Sequence, residues 1–89
     1  MNWIKITKEN YKDIPIGDNV YFTTKDSTNN LSTFKGSFEP EEEDNDYTIW
    51  ENNEDSRIFV WDDDENVYLD ENDNSVTITA YCILEPFRE

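Results

Sequence analysis

The sequence predicts a mainly β fold: a single small antiparallel meander, forming a curved sheet or partly open barrel with at most one short helix. Three observations carry this. Residues 57–84 break into β-branched and aromatic runs at 57–61, 67–69 and 76–84, separated by Asp- and Asn-rich connections, the pattern of strands joined by turns. In the last run Val76, Ile78, Ala80, Cys82 and Leu84 alternate with Thr77, Thr79, Tyr81 and Ile83, which places the first set on one face of a strand. The chain has 89 residues, enough for one modest core and hence one domain, 1–89.

The elements follow in order. Trp3, Ile4 and Ile6 alternate about Lys5 and predict a short opening strand. Thr7 is placed to cap a brief helical turn over 8–12, which Pro15 ends. Residues 16–19 carry Gly, Asp and Asn and predict a turn, 19–24 a second strand, and the polar stretch 25–30 a hairpin onto 31–38. Residues 39–46 are an acidic low-complexity loop, 47–50 begin the meander proper, 51–56 turn it, and the tail leaves the sheet at Pro86. The expected core is Trp3, Ile4, Ile6, Val20, Phe22, Ile58, Val60, Val67, Leu69, Val76, Ile78, Ala80 and Cys82. Phe59 and Trp61, out of phase with Ile58 and Val60, predict a second core layer under the first hairpin.

Charge is the dominant compositional fact. Twenty-two acidic residues face seven basic ones with no His, a net charge of −15. Such an imbalance with low hydropathy is typical of disorder, but aromatic residues make up 15% of the chain, which favours a folded domain with an acidic surface. The excess is one-sided: residues 1–37 sum to +1 and residues 38–89 to −16. Successive turns of an up-and-down meander fall at alternate ends. One end should therefore gather Glu39, Glu41, Glu42, Glu43, Asp44, Asp46, Asp62, Asp63, Asp64 and Glu65, and the other Glu51, Glu54, Asp55, Asp70, Glu71 and Asp73.

The blandest reading of these carboxylates is that they solvate turns, where Asp and Asn are favoured in any case. Calcium binding is disfavoured: Asp70, Asn72 and Asn74 have calcium-loop spacing, but Ser75 stands where the loop needs Gly and Tyr81 where it needs Glu, and Val67 breaks the 62–66 run in the same way. Zinc lacks ligands, with no His and one Cys, so no cofactor or metal is expected. A third reading is mimicry of nucleic acid, with carboxylates held on a rigid surface to occupy a groove built for phosphates; duplex DNA presents one charge per about 1.7 Å of axis. Direct nucleic-acid binding is disfavoured because the acidic half repels phosphate. Catalysis is poorly served: the missing His removes the usual triads and general base, two Gly cannot build a phosphate loop, and a chain this short offers no cleft to hold paired carboxylates across a sugar. The opening residues lack a signal core and no run is long enough to span a membrane, so a cytoplasmic location is expected. Cys82 is expected as a buried, inert thiol of a reduced compartment.

Trp3, Ile4 and Ile6, the pair Ile14 and Pro15, the strand 20–22 and the closing run 76–86 resemble a group of small phage and prophage domains of unknown function. Those open on Trp-Ile, continue with Leu-Pro and a strand, and close on Thr-His-Trp-x-Pro-Leu-Pro; here Ala80 and Tyr81 stand in place of the His and Trp. The resemblance implies a phage or mobile-element origin, where small acidic proteins serve as anti-restriction or anti-CRISPR inhibitors. The expected function is accordingly a non-enzymatic acidic inhibitor that blocks a basic nucleic-acid-binding defence protein of the host. An acidic immunity-type partner of a basic toxin and a small phage structural domain are the alternatives. The expected contact residues are Glu41, Glu42, Glu43, Asp44, Asp62, Asp63, Asp64 and Glu65, with Trp61 and Tyr68 as apolar anchors. The chain is expected to be a monomer or weak homodimer, since its like-charged ends repel.

Overall fold

The computed structural model describes residues 2–17, 19–52 and 57–83. These residues are mainly β and form seven strands among them: β1 (Ile4–Lys5), β2 (Val20–Lys25), β3 (Leu31–Glu41), β4 (Asp46–Glu51), β5 (Ile58–Asp62), β6 (Val67–Asp70) and β7 (Asp73–Ile83). Every pairing is antiparallel. The strands β2 to β6 pair in sequence, and β7 pairs with both β6 and β2, which closes a six-stranded up-and-down barrel; β1 adds to β7 outside the ring. The predicted curved sheet thus closes completely.

Closure depends on two long strands. β3 pairs through 31–36 with β2 and through 36–41 with β4, while β7 gives its first part to β6 and its second to β2. Strands that serve different neighbours along their length give the stagger a barrel requires. Gly36 sits where β3 changes partners. A Cβ there would lie 2.6 Å from the Trp50 carbonyl oxygen and 2.8 Å from the Phe34 ring, so the bend leaves room for no side chain.

The turns use the chemistry that Asp and Asn offer. In the β2–β3 hairpin, Asp26 Oδ1 accepts from the Thr28 N–H, the Thr28 hydroxyl and the Asn30 N–H, and Asn29 takes the left-handed conformation at φ 64°. Asn45 and Asn66 do the same in the next hairpins at the acidic end. Residues 8–12, predicted as a brief helical turn, make one helix-like hydrogen bond, Tyr11 N–H to the Thr7 carbonyl at 3.0 Å, and do not extend into a helix. Thr7 Oγ1 accepts from the Glu9 N–H as a cap should, but Asn10 folds back, its amide donating to the Lys5 carbonyl and its Oδ1 accepting from the Thr7 N–H. One 3-10 turn, Glu42–Asp44, interrupts what the sequence predicted as a plain acidic loop, and the flanking residues 39–41 and 46 belong to strands. Of the predicted turn 51–56, Glu51 belongs to β4 and residues 53–56 lie outside the described residues, as does the tail from 84 onward.

The core differs from prediction in its phase. Ile6, Val20, Phe22, Ile78 and Cys82 are buried as expected, but Trp3 and Ile4 are exposed. On β5 and β6 the buried residues are Phe59, Tyr68 and Asp70, while Ile58, Val60, Val67 and Leu69 are half-buried on the outside. Val76 and Ala80 are half-buried too. On these two strands the aromatic rings take the wide barrel interior and the aliphatic residues turn outward. Ile14, Phe38, Tyr47 and Ile49 complete the interior. Tyr81 reaches it because β7 carries a bulge: Thr23 faces Ala80 but Thr24 faces Ile78, so Thr79 is an extra residue that shifts the alternation.

Candidate functional site

The two ends of the barrel are built differently. At the end holding the β4–β5 and β6–β7 connections, acidic residues turn inward. Glu51 is buried and accepts from Arg57, whose Nε lies 3.1 Å from Oε2. The Arg57 guanidinium also lies over the Phe34 and Phe59 rings, 5.7 and 5.3 Å from their centroids. Asp70 is buried, and its Oδ1 accepts from the Asn72 N–H. Asp73 is exposed and caps Ser75 through both N–H and hydroxyl, and these hydrogen bonds, the hydroxyl's first, lower its pKa. Of the six carboxylates predicted here, Glu54 and Asp55 lie outside the described residues, two are internal, and Glu71 and Asp73 face solvent.

At the opposite end the acids face outward. The β3–β4 connection presents Glu41, Glu42, Glu43 and Asp44, all exposed, and the β5–β6 connection presents Asp63, Asp64 and Glu65. None of these makes an ion pair among the described residues. Within the β5–β6 turn two carboxylates are fixed. Asp62 is half-buried and its Oδ1 accepts from the Asp64 and Glu65 N–H groups at 2.8 and 3.3 Å. Asp63 Oδ1 accepts from the Trp61 indole at 2.8 Å. The two hairpins are two strands apart, about 10 Å by ordinary strand spacing, so each keeps a separate acidic tip. Among the described residues no group of three or more His, Cys, Asp or Glu is arranged to hold a metal ion.

This end is plugged from within by the N-terminal segment. Tyr11 stacks on Trp61 with ring centroids 4.0 Å apart and planes 3° from parallel, and meets Tyr47 edge-on at 5.5 Å. Tyr68 donates its hydroxyl to the Tyr11 carbonyl at 2.7 Å. Burial, with Tyr11 and Tyr47 nearby, pushes the Tyr68 phenol well above its ordinary pKa. Lys12 lies over the Tyr11 and Tyr47 rings. Tyr68 is therefore not the surface anchor the sequence predicted: it is fully buried and holds the plug. Trp61 is half-buried and spent largely on the Tyr11 stack. Among the described residues, the large exposed aromatic on the strands is Trp50, 41% exposed.

A second set of carboxylates lies beside the acidic tips on the outer face. Glu39, Glu41 and Asp46 border a shallow groove with Thr48 and Trp50, and Asp62 and Glu65 border another with Val67 and Leu69. No known protein family, characterised protein or solved structure matches the chain. No helix among the described residues is long and apolar enough to cross a membrane.

Proposed function

We propose that this protein is a non-enzymatic acidic inhibitor that docks its outward-facing end into a basic groove and displaces nucleic acid from it. The target class is a host defence protein of the restriction or CRISPR type, met in the cytoplasm by a phage-encoded decoy. The observation that carries this reading is the asymmetry of the ends: one carries seven exposed carboxylates in residues 41–44 and 63–65, while the other folds Glu51 and Asp70 inward. A decoy needs fixed charges, and the hydrogen bonds of Asp62 and Asp63 with the left-handed Asn45 and Asn66 hold both turns in shape. Arg- and Lys-lined grooves bind such a surface by the same counterion release that drives phosphate binding.

The test is competition. Purified restriction and CRISPR effectors, each loaded with labelled nucleic acid, are titrated with the wild type and with a variant carrying Glu42→Gln, Glu43→Gln, Asp64→Asn and Glu65→Gln. Displacement by the wild type that weakens steeply with salt, and by at least about tenfold in the variant, supports the proposal. Equal displacement by both proteins, or none by either across the panel, overturns it. Asp62 is left in place because its carboxylate builds the turn, so reversing 62–64 together would confuse loss of charge with loss of structure.

A further inference from the structure

The outward turn of β5 and β6 leaves an apolar strip on the barrel exterior. Trp50 faces Ile58, and Val60 faces Leu69 across the β5–β6 ladder, with Val67 beside Asp62. Trp50 is 41% exposed and the other four are half-buried. Soluble barrels place polar side chains on an outer face that meets only water, and here five apolar residues adjoin one another across three strands.

The rim of this strip is acidic. Glu39 lies opposite Thr48, and Glu41 opposite Asp46. Asp62 and Glu65 border the far side. Like charges on both copies oppose a second chain as the occupant. Charge complementarity selects a cationic protein surface: a segment that sets apolar side chains against Trp50, Val60 and Leu69 and reaches Lys or Arg to the rim.

We infer that the outer face of β4, β5 and β6 is a docking surface for a basic, apolar-anchored protein segment, continuous with the acidic tips. This rests on the reading of the chain as an inhibitor of a basic protein and adds to it: recognition includes an apolar contact that phosphate mimicry does not supply. Salt screens the tips but leaves that contact intact, so the complex keeps a salt-resistant component.

The experiment uses the full chain and two synthetic probes of equal charge, an alternating Lys-Val peptide and an oligolysine, mapped by residue-resolved NMR. The alternating peptide should move the amide signals of 48–50, 58–60 and 67–69 and persist at about 1 M salt, where the Debye length is about 3 Å. Oligolysine should move only 42–46 and 62–66 and be released. Val60→Thr with Leu69→Thr, which keeps strand propensity, should weaken the alternating peptide by at least about tenfold and leave oligolysine unchanged. Identical maps for the two probes, or a folded double variant that binds the alternating peptide as the wild type does, overturn the inference; if the double variant fails to fold, the wild-type maps decide alone. Concentration-dependent shifts of the same strands without peptide would make a second copy the occupant and overturn it as well. Failure of the decoy reading is separate: nucleic acid then stays on every effector while the peptide still maps to the strip.

Discussion

The two ends of the barrel solve the same problem, how to close a ring of strands, with opposite uses of acidic residues. One end buries two of its carboxylates, Glu51 and Asp70, and neutralises the first with Arg57 stacked over two Phe rings. The other closes with tyrosines and an indole, and sends its carboxylates into solvent. A charge that completes the interior has a partner supplied by the fold. A charge left out by an aromatic plug is held by water.

The contrast is broken most severely by Tyr68→Ala. Removing a fully buried ring that also holds the Tyr11 carbonyl should cost about 3–5 kcal/mol, read as a fall in the denaturation midpoint, and a loss below about 1 kcal/mol would show that the plug does not close that end. At the opposite end, Arg57→Ala removes the cation beside the buried Glu51 and uncovers two rings. Because Arg57 is itself 35% exposed, solvent moderates the penalty to about 2 kcal/mol, and Arg57→Lys should recover only part of it, since an ammonium lacks the planar fork.

Tyr68→Phe sharpens the comparison on a smaller scale. It removes one hydrogen bond, about 1 kcal/mol, and changes the alkaline limb. Burial raises the folded-state pKa of Tyr68 above the unfolded value of about 10, so the unfolded chain loses its proton first. The stabilisation is complete below pH about 10 and is lost as pH rises beyond it. Tyr81 is raised in the same direction, by burial first and Asp13 second, so some alkaline loss should remain in the variant while the steepest part disappears. A chemical denaturation series from neutral to strongly alkaline pH measures this. The smallest effect belongs to the exposed acids. Glu42→Gln, Glu43→Gln, Asp64→Asn and Glu65→Gln together should change stability by no more than about 0.5 kcal/mol, slightly upward at low salt. The difference should shrink near physiological salt, where a Debye length of about 8 Å screens repulsion between the hairpins more than repulsion within each.

The sequence made the strands, the turns and the sorting of turns to two ends legible, because Asp and Asn clusters mark hairpins by a local mechanism. The face of β5 and β6 was not legible. Ile58, Phe59, Val60 and Trp61 form an unbroken apolar run, as do Val67, Tyr68 and Leu69, so no polar phase marks the outside, and only the width of the closed barrel selects the rings for the interior. On β7 the alternation was clear, but the bulge at Thr79 shifted it, and nothing in the local pattern announced that bulge. At the candidate site the acidic tips were legible as charge runs. The inward fate of Glu51 and Asp70 was not, because it depends on contacts that the ring brings together: Arg57 and its rings for one, a closing turn for the other.

The double pairing of β7 also sets the order in which the molecule can assemble. Its contacts with β2 join residues 52 to 63 positions apart, such as Lys25 with Thr77 and Val20 with Ile83, whereas among themselves β2 through β6 pair only with their chain neighbours. Local hairpins can form early and cheaply, but the ring waits for a contact between distant parts of the chain, which slows folding. During synthesis the earlier strands therefore emerge as an open ribbon with unsatisfied edges, and the plug through Tyr11 has no finished mouth to fill until the last strand arrives. The acidic hairpins, which repel other copies of the same ribbon, guard it against edge-to-edge association over that interval.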